Sequence, residues 1–199
     1  MSLLFETISI RNGVPENLDW HQKRLNSAMQ KLLAGYGFID LSASIIVPPE
    51  AGTGFFRCRV DYDTVVRNIS FRKYEPLPIN TLKLVEDNTV IYNHKYADRS
   101  QLDQLHAQRG DCDDVLIVRD GCISDTSYAN IIFRIGTRWE TPDTPLLNGT
   151  CRSRLLASGI ISEVRITPSD LKKYSEFHLI NALRGMNTSA ALPVNRIVF

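Results

Sequence analysis

Two eight-residue runs, Phe55–Tyr62 and Val65–Arg72, alternate apolar and polar residues and are separated only by Asp63-Thr64. A connection that short joins antiparallel strands, so the pair predicts a hairpin. Elsewhere, alternation at Phe5–Ile10 predicts a strand closed by an Arg11-Asn12-Gly13 turn. Leu25, Ala28, Met29, Leu32 and Leu33 form an apolar stripe at helical spacing, which predicts a helix from Leu18 to Leu33 with Asp19 as its N-cap and Gly35-Tyr36-Gly37 as its end. A short helix is expected within Asp40–Ile46. Pro76-Leu77-Pro78 reads as a linker, since two prolines interrupt regular pairing. Beyond it the pattern predicts strands at Leu82–Val85, Asp114–Val118, Asn130–Ile135, Val164–Ile166 and Glu176–Ile180. Helices are expected at Asp98–Gln108, Thr150–Leu156 and Pro168–Lys173. Strands outnumber helices and hairpins recur, which predicts an α+β fold in two parts, residues 1–78 and 79–199.

Composition removes several classes of function. The 199 residues carry 23 Lys and Arg against 22 Asp and Glu, a net charge of +1 that leaves no electrostatic footprint for nucleic acid or an anionic membrane. No apolar run approaches the ~20 residues of a membrane-spanning helix. The opening Met1-Ser2-Leu3-Leu4-Phe5-Glu6 lacks the pattern of a secretory signal. Cys58, Cys112, Cys122 and Cys151 are scattered, with neither a Cys-x-x-Cys pair nor a His at zinc spacing. Free thiols in a reducing cytosol, and no metal, are expected. The absence of Gly-x-Gly-x-x-Gly and phosphate-loop motifs argues against a dinucleotide or nucleoside-triphosphate fold.

Three places could carry chemistry. Lys95, in Val90-Ile91-Tyr92-Asn93-His94-Lys95-Tyr96, stands where an expected strand meets a polar helix. It is either a surface lysine or, if partly buried, a Schiff-base lysine. Asp125, in Ile123-Ser124-Asp125-Thr126-Ser127, either caps a turn or is a carboxylate held against a cofactor nitrogen. Asn148-Gly149-Thr150-Cys151-Arg152 opens a helix whose free N–H groups suit an anion such as phosphate.

Taken in order, these segments resemble the class IV, fold-type IV pyridoxal-phosphate enzymes, which include branched-chain and D-amino-acid aminotransferases and aminodeoxychorismate lyase. Phe5-Glu6-Thr7-Ile8 is similar to the family's opening strand, His21-Gln22-Lys23-Arg24-Leu25 to its His-x-x-Arg-Leu helix, and His94-Lys95-Tyr96 with Arg99 to its lysine segment. Asp113–Leu116, Asp120-Gly121 and Ile123–Phe133 resemble its longest signature, with Thr141-Pro142, Leu147–Arg152 and Ile180–Leu183 following.

The resemblance implies a two-domain, D-amino-acid-aminotransferase-like fold with pyridoxal 5'-phosphate in a cleft between the domains, and a homodimer. It makes Lys95 the residue that bonds the cofactor and moves protons at the substrate carbon. Asp125 would hold the pyridine nitrogen protonated. Arg24, with the N–H groups of Thr150 and Cys151, would bind the phosphate. Asn181 and Ala182 would line the site. Arg24 could instead be a solvated helix cation, and neither His21 nor His94 is given a proton-transfer role.

The chain departs from the family at Asp125, where Glu is usual, and at Asn148, where Pro is usual. Ser100 occupies the position, five after the lysine, where the aminotransferases usually have Tyr. The Lys95-x-x-x-Arg99 pattern with Asn181-Ala182-Leu183 is similar to the lyase branch, which implies conversion of 4-amino-4-deoxychorismate to 4-aminobenzoate and pyruvate. In either case the substrate is a small molecule with an amino group; the alternatives are an amino-acid transaminase of branched-chain or D-amino-acid type, and a degenerate, non-catalytic family member acting as a binding protein.

Overall fold

The computed structural model describes residues 3–33 and 37–199, so Gly35 and Tyr36 of the expected helix end lie outside the described residues. The chain divides into two compact units: residues up to Pro76 together with His94–Asp98, and Leu77–Asn93 together with Arg99–Phe199.

The first unit contains β1 (Leu4–Arg11), β2 (Val14–Pro15), α1 (Leu18–Leu32), α2 (Leu41–Ser44), β3 (Phe55–Tyr62) and β4 (Val66–Lys73). They form a sheet in the order β2-β1-β3-β4. The expected hairpin is present as β3 and β4, with a register shift at Asp61/Tyr62. β1 pairs with β3 along its whole length, from Leu4↔Tyr62 to Arg11↔Phe55. Alternation then sorts the side chains: Leu4, Ile8 and Ile10 join Cys58, Val60 and Tyr62 in a core closed by Leu25, Ala28, Met29 and Leu33.

Two details of α1 differ from expectation. Its N-cap is Asn17, in a left-handed conformation at φ 54°, and Asp19 lies within the first turn, where its charge suits the positive helix end. Leu33 is buried, whereas Leu32 points to solvent.

The strand expected to lead into Lys95 is absent. Instead the backbone touches the open edge of β1: Phe5 N–H donates to Lys95 O (3.0 Å) and Ala97 N–H to Leu3 O (2.8 Å). A single antiparallel bridge joins Leu4 and Tyr96. The short β2 covers only the other end of β1, so exposed edge groups near Leu4 take these partners. The lysine segment His94–Asp98 thus groups with the residues up to Pro76.

The second unit contains β5 (Leu82–Glu86), α3 (Ser100–Ala107), β6 (Asp114–Arg119), β7 (Cys122–Thr126), β8 (Asn130–Ile135), β9 (Arg138–Pro142), α4 (Thr150–Ala157), β10 (Ser162–Val164), β11 (Glu176–Ile180), β12 (Leu192–Pro193) and β13 (Ile197–Val198). Two sheets result, β13-β5-β6-β7 and β10-β9-β8-β11-β12. Leu82, Leu116 and Ile123 of the first share a core with Ile131, Phe133 and Phe177 of the second. Ile132, on the opposite face of β8, packs with Cys151 and Leu155 of α4. Both faces of β8 are thus covered, which is why Ile131-Ile132-Phe133 is an unbroken apolar run. β9 carries no alternation that would have announced it, and β10 begins two residues before the expected strand.

Candidate functional site

In the first unit, Lys95 is half-buried and its Nζ lies 4.7 Å from the centre of the Phe5 ring. The Arg59 guanidinium lies 3.9 Å from the same ring centre and is paired with Asp61 at 2.7 Å. Both cations are attracted to the π system of the one Phe5 ring. Register puts Arg57 opposite both Ser9 and Arg72, on the sheet face that carries Phe5, Thr7 and Arg59. Lys95 therefore stands at one end of a face that carries Arg11, Arg57, Arg59 and Arg72. His94 packs edge-on against Tyr96, and burial, with the Lys31 charge, lowers its pKa.

Arg24 lies on the opposite, core-side face of the same sheet. Its Nε donates to Glu6 Oε1 (2.8 Å) and its Nη2 to Glu6 Oε2 (2.5 Å), while His21 Nδ1 donates to Oε2 at 2.6 Å. Glu6 and His21 are buried and Arg24 is nearly so. Burial alone would raise the Glu6 pKa. The Arg24 charge and the hydrogen bonds from His21 and Arg24 outweigh it and hold the carboxyl at about 2. Glu6 escaped the sequence reading, yet a signal was there: its parity places it among Leu4, Ile8 and Ile10, where an acid needs partners.

In the second unit, a tight Thr126–Ala129 connection, closed by Thr126 N–H to Ala129 O (2.9 Å), sets Asp125 at the end of β7 beside Asn130 at the start of β8. Asp125 Oδ1 accepts from Asn130 Nδ2 (2.8 Å) and Oδ2 from Leu147 N–H (3.0 Å). Burial dominates and pushes the Asp125 pKa up to about 6, against the donors and the Arg152 charge.

Leu147 leads through Gly149 into α4, where Thr150 and Cys151 are both buried. Helix geometry leaves their N–H groups without intrahelical acceptors. Burial raises the Cys151 pKa, which keeps it a neutral thiol. Arg152 is buried and donates to Pro142 O (2.8 Å) and Glu163 Oε1 (2.5 Å), so it braces α4 from within.

After β11, Asn181 Oδ1 accepts from Leu183 and Arg184 N–H at 3.0 and 2.9 Å, fixing the turn that presents Ala182. Thus Lys95 and Arg24 belong to the first unit, and Asp125, Thr150, Cys151, Asn181 and Ala182 to the second. Among the described residues no helix is long and apolar enough to cross a membrane, and no cluster of three His, Cys, Asp or Glu could hold a metal.

Residues 44–189 match the family of class IV amino-transferases. An uncharacterised protein of Haemophilus influenzae is 37% identical over 185 residues, covering 92% of this chain and 98% of that one. A crystal structure from Haemophilus somnus 129PT, provisionally named 4-amino-4-deoxychorismate lyase, superposes with a TM-score of 0.88 at 35% identity, covering 94% of this chain and 98% of that one. The aminodeoxychorismate lyase of Bacillus subtilis is 26% identical over 180 residues, 75% of this chain but 61% of that protein's length. With its lysine, its buried acid and its match across most of the chain, the protein belongs to the class IV aminotransferases, a family of pyridoxal-phosphate-dependent enzymes.

Proposed function

We propose that the protein is a lyase that converts 4-amino-4-deoxychorismate to 4-aminobenzoate and pyruvate. The observation that carries this reading is the basic sheet face beside Lys95. Arg57, Arg59 and Arg72 share it with Asp61, which is paired with Arg59, and with Glu16, which is held by Ser9 and Arg11, so that Arg57 and Arg72, directly opposite each other, have no ion-pair partner among the described residues. Like charges in that position are destabilising unless an anion offsets them. A substrate with two carboxylates supplies that charge, whereas a neutral aliphatic amino acid does not. The names of the similar Haemophilus somnus and Bacillus subtilis proteins point the same way.

The residues suit pyridoxal phosphate. Asp125 is a buried acid whose hydrogen-bond partners are neutral donors, so it has capacity for a cationic N–H. Thr150 and Cys151 offer two N–H groups at a helix start. In this reading Arg24 and those N–H groups hold the phosphate, Asp125 holds the pyridine nitrogen, and Asn181 and Ala182 line the site. Bound, the cofactor supplies an electron sink for charge developing on the carbon that bears the substrate amine.

Lys95 carries the cofactor at rest and, once released, takes the proton from that carbon. Arg57, Arg59 and Arg72 orient the carboxylates so that the neighbouring ring substituent is positioned to leave. The same reading takes the two units as the family's smaller N-terminal and larger C-terminal domains, and the enzyme as a cytoplasmic homodimer.

Purified protein with pyridoxal phosphate and 4-amino-4-deoxychorismate should release 4-aminobenzoate and pyruvate in equal amounts with no keto acid added. Lys95→Ala should lower the rate about 10³-fold or more. Product formed only when a keto-acid acceptor is present would make the protein a transaminase, and full activity in Lys95→Ala would end the assignment of that residue.

A further inference from the structure

Asn130 uses both hydrogens of its side-chain amide in one place. Nδ2 donates to Asp125 Oδ1 (2.8 Å) and to Leu147 O (2.9 Å). Both partners are acceptors, so chemistry dictates which end of the amide faces them. Leu147 in turn donates its N–H to the other oxygen of Asp125 (3.0 Å). The Oδ1 end of Asn130 faces Gly149, where a Cβ would lie 2.0 Å from it, so any side chain at 149 collides with the amide. Acid, amide and side-chain-free turn are therefore mutually dependent, and the turn leads directly into Thr150 and Cys151.

We propose that Asn130 is a positioning residue: it keeps Asp125 ionised and in place, and ties it to the turn before α4, so that the acid and the anion-binding helix start are set as one piece. Both groups that touch the Asp125 oxygens are donors. Donors stabilise the carboxylate over the protonated acid. Burial acts in the opposite sense, and Arg152 is the one charged group that contributes to its pKa. Removing the Asn130 donor leaves burial less opposed. The shorter Asp, where the family usually has Glu, makes exact placement of its carboxyl matter more. The inference rests on the reading that Asp125 serves the pyridine nitrogen.

The test follows the ¹³C carboxyl resonance of Asp125, assigned by its loss in Asp125→Asn, through a pH titration of the full-length protein and of Asn130→Ala. The expected result is a midpoint in Asn130→Ala at least one unit above the wild type. Pyridoxal-phosphate affinity should be weaker by about twofold near pH 7 and by nearly tenfold near pH 5, where both forms of the protein hold Asp125 mostly protonated and the full one-unit shift is felt. Asn130→Ser, with one donor left, should fall between the two, and it replaces Asn130→Ala should the latter not fold. An unchanged midpoint in a folded variant overturns the proposal. A wild type that does not take up pyridoxal phosphate, or an Asp125→Asn variant that binds it as the wild type does, refutes the cofactor role of Asp125. The carboxyl titration then still decides the role of Asn130.

Discussion

Glu6 and Arg24 meet through both prongs of the guanidinium, at 2.8 and 2.5 Å, inside the first unit, with His21 completing the group. The pair joins the middle of β1 to the second turn of α1, so the sheet's only buried acid also sets where the arginine of the His-x-x-Arg-Leu segment points. Removing one partner of a buried pair leaves the other charge uncompensated. Glu6→Gln should therefore lower stability by about 3 kcal/mol in urea melts, and should weaken pyridoxal-phosphate binding by loosening Arg24. Because the folded Glu6 pKa is depressed from 4.5 to about 2, its stabilisation is complete above pH 4.5 and disappears as pH falls toward 2. The acid limb of the stability curve should accordingly be shallower in Glu6→Gln.

Asp125 predicts the opposite slope at higher pH. Its folded pKa is raised from 3.8 to about 6, so between those values the folded state holds a proton that the unfolded chain has lost. Stability of the cofactor-free protein should fall as pH rises across this window, by about 3 kcal/mol. Denaturant melts at closely spaced pH values should show this fall in the wild type and not in Asp125→Asn.

Gly149→Ala places a methyl group 2.0 Å from Asn130 Oδ1. The overpacking should cost about 1–3 kcal/mol and should displace the amide from Asp125. Combined with Asn130→Ala, the two losses should be less than additive, because the second substitution removes the atom that the first collides with. Additive losses in thermal melts would mean that the two residues do not meet.

Arg57→Gln removes one of two like charges that face each other across β3 and β4. Neither Arg57 nor Arg72 has an ion-pair partner among the described residues, so the hairpin should gain about 0.5 kcal/mol. KM for 4-amino-4-deoxychorismate should rise in the same variant with kcat changed less. A KM equal to that of the wild type would remove Arg57 from substrate recognition.

Local pattern carried much of this protein. Alternation revealed β1, β3 and β4 because one face of that sheet is buried and the other is polar. The helical stripe gave α1 and its bounds for the same reason, while its N-cap was missed because Asn17 starts the helix by backbone conformation and not by a side-chain cap. The order of short motifs named the family.

What sequence by itself determined is the set of local periods, the residue types available for chemistry, and the family. Only tertiary structure decided that Lys95 joins the edge of β1 and shares the Phe5 ring with Arg59, that Glu6 anchors Arg24, and that Asn130 locks Asp125 to Gly149. These relations join residues from 5 to 90 positions apart in the chain. Periodicity records which way a side chain points along its own strand or helix, and says nothing of what another segment brings to meet it.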